Sequence, residues 1–124
     1  MRKNYDELEA LQNVYLEDSF VLGFSITQNL VSIDIDAVLT DSHPEFKPPI
    51  PGEQYCYLRG RLVFEGFDHA VFDFHSSSRS TDASGEVDYG NIDTFVIEEN
   101  KSIILGDWGR LEINSGEIRF ELEP

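Results

Sequence analysis

Asp82, Ser84, Glu86 and Asp88 occupy every second position of one short segment, and Asp93 follows just beyond. Calcium takes about six to eight hard oxygens from a flexible loop, with a glycine at the sharpest bend. Gly85 stands inside this segment. The match to an EF-hand loop fails. Gly85 falls at the fourth position rather than the sixth, and the bidentate glutamate of position twelve is missing. Asp82, Ser84, Glu86 and Asp88 are therefore weak metal candidates, and a solvated acidic loop accounts for them more simply. No metal or other cofactor is expected.

His69, Asp73 and His75 share parity in a short strand, so all three project from one face. Two imidazoles flanking a carboxylate are the parts of a zinc site or a proton relay. The outer pair would lie about 20 Å apart along a straight strand, too far for one metal. Alternation with Phe72 and Phe74 is also what a half-exposed strand looks like. Serines at 76 to 78, 80 and 84 lie close by, but no Gly-x-Ser-x-Gly elbow accompanies them. Cys56 shares parity with Leu58 and Leu62, which reads as a buried thiol rather than a nucleophile. The chain carries no catalytic signature of high specificity, and the reading leans away from an enzyme.

Two aromatic turns differ in kind. Trp108 sits between glycines in Gly106-Asp107-Trp108-Gly109, and Tyr89-Gly90-Asn91 repeats the combination in the acidic region. Tryptophan is enriched at binding hot spots, and it is equally a common core lid. Were Tyr89 and Trp108 to lie together beside Asp88 and Asp107, they would form an aromatic–acidic patch suited to Arg or Lys.

These residues need elements to hold them. Asn4-Tyr5-Asp6-Glu7 reads as a capping box, and Leu8, Leu11 and Tyr15 follow at helical spacing, so a helix is predicted from about Tyr5 to Val14. The remainder reads as strands. Val31, Ile33, Ile35, Ala37 and Leu39 alternate with Ser32, Asp34 and Asp36. A strand is expected before them from Phe20 to Thr27, with Gln28-Asn29 as the hairpin turn. Pro44, Pro48, Pro49 and Pro51 make residues 43–52 a stiff extended loop. Strands are expected over 55–65, 70–75, 95–97, 102–105, 110–113 and 117–122. Residues 76–88 read as a loop, and Asn114-Ser115-Gly116 as a turn between the last two strands. Arg59 and Arg61 share a face with Tyr57, and their expected partners across neighbouring strands are Asp34, Asp36, Asp73, Glu112 or Glu121. The expected fold is mainly β, with α+β at the margin. It is an antiparallel sandwich or partly open barrel of about seven or eight strands, with one short N-terminal helix, in a single domain spanning 1–124.

Charge narrows the partners. Acidic residues outnumber basic ones by 24 − 9 = 15, which opposes nucleic acid and anionic membrane and favours basic proteins or cations. Solubility or a salt-rich habitat would favour the same acidity. A lone cysteine forms no internal disulfide, and acidic residues follow Arg2 and Lys3 where a signal peptide needs an apolar run. The expectation is a cytoplasmic protein, a monomer or small homo-oligomer.

Three stretches taken together carry a resemblance: Glu17-Asp18-Ser19-Phe20-Val21-Leu22, residues 86–93, and Gly106-Asp107-Trp108-Gly109. The chain resembles small, acidic, β-rich bacterial proteins of unassigned function, some of which look like immunity proteins of polymorphic toxin systems. The resemblance implies bacterial origin and a binding role, such as neutralising a cognate toxin, and the net charge makes the expected partner a basic protein. From the residues, the expected contacts are Asp82, Glu86, Asp88, Tyr89, Asp93, Asp107 and Trp108. The competing expectation is a ligand- or calcium-binding β domain, or an enzyme using the His69/Asp73/His75 face.

Overall fold

The computed structural model describes residues 2–74, 80–81, 87–114 and 116–123. Among these, strands follow in the order β1 (Arg2–Asn4), β2 (Val14–Ile26), β3 (Leu30–Leu39), β4 (Cys56–Glu65) and β5 (His69–Phe74). Then come β6 (Ser80–Thr81), β7 (Val87–Asp88), β8 (Ile92–Glu98), β9 (Lys101–Gly106), β10 (Gly109–Asn114) and β11 (Glu117–Leu122). Period-two alternation fixes the inward set of each long strand. Val31, Ile33, Ile35, Ala37 and Leu39 of β3 are all buried.

Two antiparallel sheets result, ordered β1-β8-β9-β10-β5 and β11-β4-β3-β2, with β6 and β7 pairing as a separate ribbon. Ile33, Leu62 and Phe64 of one sheet share a core with Phe95, Ile104, Leu111 and Ile113 of the other. Phe64 and Phe95 meet across the gap with ring centroids 6.0 Å apart. Each such fully buried side chain contributes about 1.5–3 kcal/mol of transfer free energy. The expected sandwich is the observed one, and the sheets do not close into a barrel.

Several expectations need correction. The N-terminal helix is replaced by two single-turn 3-10 helices, Tyr5–Glu7 and Glu9–Leu11, with Leu8 extended between them. Tyr5, Leu8, Leu11 and Val14 recur every three residues, which is the 3-10 period rather than the α period. Tyr15, expected on the helix face, is exposed in β2. The capping interaction does form, because the Glu7 carboxylate accepts the Asn4 N–H at 2.9 Å. The strands outnumber those expected, because Arg2–Asn4 pairs with β8 and the segment read as a loop over 76–88 contains the β6–β7 ribbon. The final two strands do not pair. β10 lies between β9 and β5, while β11 crosses to the other sheet beside β4.

The first half of β2 carries a large bulge. Tyr15 faces Val38 and Phe20 faces Asp36, so four residues of β2 stand against Ala37 alone. Ser19 repairs the interrupted ladder. Its hydroxyl donates to the Tyr15 carbonyl at 2.7 Å and accepts the Val38 N–H at 2.8 Å. Bulges of this kind re-aim side chains and blunt an edge strand. Here the bulge lifts Glu17 and Asp18 out of the regular alternation.

Candidate binding surfaces

Trp108 takes the core position. It lies in the two-residue link between β9 and β10, where Gly106 faces Gly109. A Cβ on Gly106 would collide with the Trp108 indole, and one on Gly109 with the Asp73 carbonyl. The glycines therefore let the hairpin fold tightly and turn the ring inward. Trp108 is fully buried, and its indole N–H donates to the Asn91 carbonyl at 3.2 Å. Phe24, Phe74 and Trp108 pack together, with Phe24–Trp108 centroids 5.1 Å apart. As placed, Trp108 offers no surface to a partner, which corrects its expected contact role.

The other expected contact residues divide. Asp82 and Glu86 lie outside the described residues, as do Ser84 and His75. Asp88 contributes backbone to β7. Tyr89 is half-buried against Phe24, at 5.7 Å between centroids. It is pinned by backbone bonds, Tyr89 N–H to Val21 O and Val21 N–H to Gly90 O, both 2.8 Å. Asp93 and Asp107 are exposed. Asp107 lies over Gly90, whose positive φ of 90° and missing Cβ leave the carboxylate room. Tyr89 and Asp107 thus come to one end of the sandwich. Among the described residues, no three His, Cys, Asp or Glu side chains gather as a metal site.

His69 and Asp73 stand exposed on the edge strand β5. Asp73 faces Arg110 in the register, and His69 faces Asn114. Beside them, Arg110 donates to Glu112 and holds that carboxyl below the usual range, with Lys101 and His69 adding to the effect. His69, Lys101 and Glu112 border a hollow of only about 60 Å³. A larger cleft, of about 590 Å³, is bordered by the second 3-10 turn and by β8, β9 and β11. Leu8, Ala10, Ile97 and Ile118 line it, with Glu9 and the buried Ser102. Cys56 is buried, and its sulfur accepts the Lys47 N–H at 3.5 Å.

The outer face of the four-stranded sheet holds a cluster that sequence reading did not assemble. Tyr15, Val38 and Tyr57 form one row across β2, β3 and β4, and Phe20, Asp36 and Arg59 form the next. Phe20 stacks on Tyr57 at 6.0 Å, and Tyr55 meets Tyr57 edge-on at 6.0 Å. Val38 is only 2% exposed among these rings, whereas Tyr15 is 41% and Phe20 36% exposed. The bulge brings Asp18 against Tyr55, and their hydrogen bond raises the Tyr55 hydroxyl above its ordinary pKa. Burial first, then the charges of Asp18, Asp36 and Glu53, raise Tyr57 as well. Further along the same face, Arg61 pairs with Asp34 at 3.1 Å, and Arg119 with Glu65 and Glu121. Of the expected cross-strand partners, Asp34 pairs with Arg61, whereas Asp73 and Glu112 belong to the other sheet, where Glu112 pairs with Arg110. The signal available in sequence was the shared parity of Tyr57 with Arg59 and Arg61. Tyr15, Asp18 and Phe20 were hidden because a regular strand would not place them there.

Among the described residues, no helix is long and apolar enough to cross a membrane. Comparison with known proteins found no family model, no curated protein and no solved structure that matches this chain.

Proposed function

We propose that this protein is a non-enzymatic acidic binding module that sequesters or inhibits a basic partner protein, in the manner of an immunity protein. The observation that carries this reading is a surface of carboxylates that the chain cannot neutralise itself. Twenty-four acidic residues face nine basic ones, and those nine include Arg61, Arg110 and Arg119, already paired with Asp34, Glu112, Glu65 and Glu121. The excess is open to solvent at Asp6, Glu9, Asp41, Glu45, Asp93, Glu98, Glu99 and Asp107. Such a field accelerates encounter with a positive surface and rejects negative ones. A tagged pull-down from source lysate, washed at low and then high salt, tests it. Retention of one basic protein that high salt weakens is the expected result, and a blank at both salts contradicts it.

A second reading rests on the cleft beside Leu8 and Ser102, whose apolar walls and hydroxyl suit a small amphipathic ligand. Introducing bulk with Ala10→Phe would then abolish ligand-induced stabilisation while leaving capture of a basic protein intact.

A further inference from the structure

The aromatic cluster on the outer face of the four-stranded sheet is unusual for so charged a molecule. Tyr15 and Phe20 leave large apolar surface in water, and Ile50 at the turn of the neighbouring proline-rich loop is 63% exposed. Clustered exposed rings of this kind mark interaction sites far more often than isolated ones do. The loop is stiffened by Pro44, Pro48, Pro49 and Pro51, so little ordering is lost when something docks against it.

The chemistry around the rings selects the occupant. Asp18, held by the Tyr55 hydroxyl, and Glu53 from the loop stand at the rim, and Asp36 lies in the second row opposite Arg59. Nucleic acid would stack on the rings but meet carboxylates with its phosphates. A second copy of this chain would bring another fifteen net negative charges against the first. A wholly apolar partner would desolvate the Asp18 carboxylate with only the neutral Tyr55 hydroxyl to offset its charge. Guanidinium satisfies both halves, because it lies flat on an aromatic ring while its edge pairs with a carboxylate.

We infer that Tyr15, Phe20, Tyr55 and Tyr57, rimmed by Asp18 and Glu53, form the docking surface for an arginine-bearing segment of a basic protein. This inference rests on the basic-partner reading above and gives it a location. It also moves the contact surface from the acidic segment around Asp88 and Asp93 to the outer face of the four-stranded sheet.

The test is a titration of the ¹⁵N-labelled full chain with a blocked hexa-arginine peptide at low salt, followed residue by residue by NMR. Amides of residues 15–20, 38 and 55–57 should shift, and salt of about 0.3 M should largely reverse the shifts. Tyr15→Ser and Asp18→Asn should each weaken binding by about threefold to tenfold. Both positions lie at the surface, and unchanged spectra elsewhere establish that the variants fold. Shifts confined to residues 87–93 and 107 would overturn this surface while leaving the basic-partner reading standing. Unaltered affinity in both variants would likewise overturn it. No shift anywhere at low salt would overturn both.

Discussion

Tyr5 ties three segments together through one hydroxyl. It accepts the Leu16 N–H at 3.0 Å, donates to Glu17, and stacks its ring on Phe95. Burial, then the bond to Glu17, pushes its pKa well above the ordinary value. The folded state therefore holds this proton more tightly than the unfolded chain does. Its contribution is complete below about pH 10 and is lost as pH rises beyond that towards the raised value. Tyr5→Phe should cost about 1–3 kcal/mol at neutral pH, and denaturant titration at pH 7 and pH 11 should show a shallower alkaline loss than wild type. Ser19 is the second such residue. Ser19→Ala strands a buried Val38 N–H and should cost about 1–3 kcal/mol by the same measurement. Neither role was legible in the sequence, because each depends on a bulge that brings distant backbone groups to the hydroxyl. The buried state of Cys56 was legible, since it needed only strand parity.

At the scale of elements, the sequence was most readable where one periodicity ran without interruption. The inward face of β3, the span of β11 and the turn before β3 follow from alternation and turn chemistry alone. The N-terminal helix does not form, because Leu8, Leu11 and Tyr15 fit an α repeat while Tyr5, Leu8, Leu11 and Val14 fit a three-residue one, and so few positions do not separate the two. Leu8 is extended between the two turns, each of which buries one side chain, Tyr5 in the first and Leu11 in the second. The β9–β10 hairpin shows the opposite case. Its glycines announced a tight turn, yet whether Trp108 pointed in or out depended on the Asn91 carbonyl, which is remote in sequence. Asn91 also donates to the Glu17 carbonyl, so it links this hairpin to the β2 bulge. Gly109→Ala should lose about 1–3 kcal/mol from its φ of 133° alone, with further loss from collision with Asp73. Trp108 fluorescence during thermal melting would report it as a lowered Tm and a red-shifted native spectrum.

For the whole molecule, charge was the most legible property and the candidate surface the least. Net charge is a sum over residues, whereas the Tyr15–Phe20–Tyr55–Tyr57 face exists only after three strands are registered and one is bulged. A molecule with this excess repels itself, and added salt should raise Tm by about 2–5 °C between roughly 0.02 and 0.3 M. Calcium and magnesium at matched ionic strength should give the same Tm. A calcium-specific rise would instead assign the acidic segment a metal. We propose that this acidic, aromatic surface recognises a basic protein. The measurement that tests it most directly is the association rate of the captured partner as a function of ionic strength. That rate should fall by about tenfold or more between low and physiological salt, with a shallower slope in Asp18→Asn. A rate indifferent to salt would contradict it and leave the acidity as a matter of solubility.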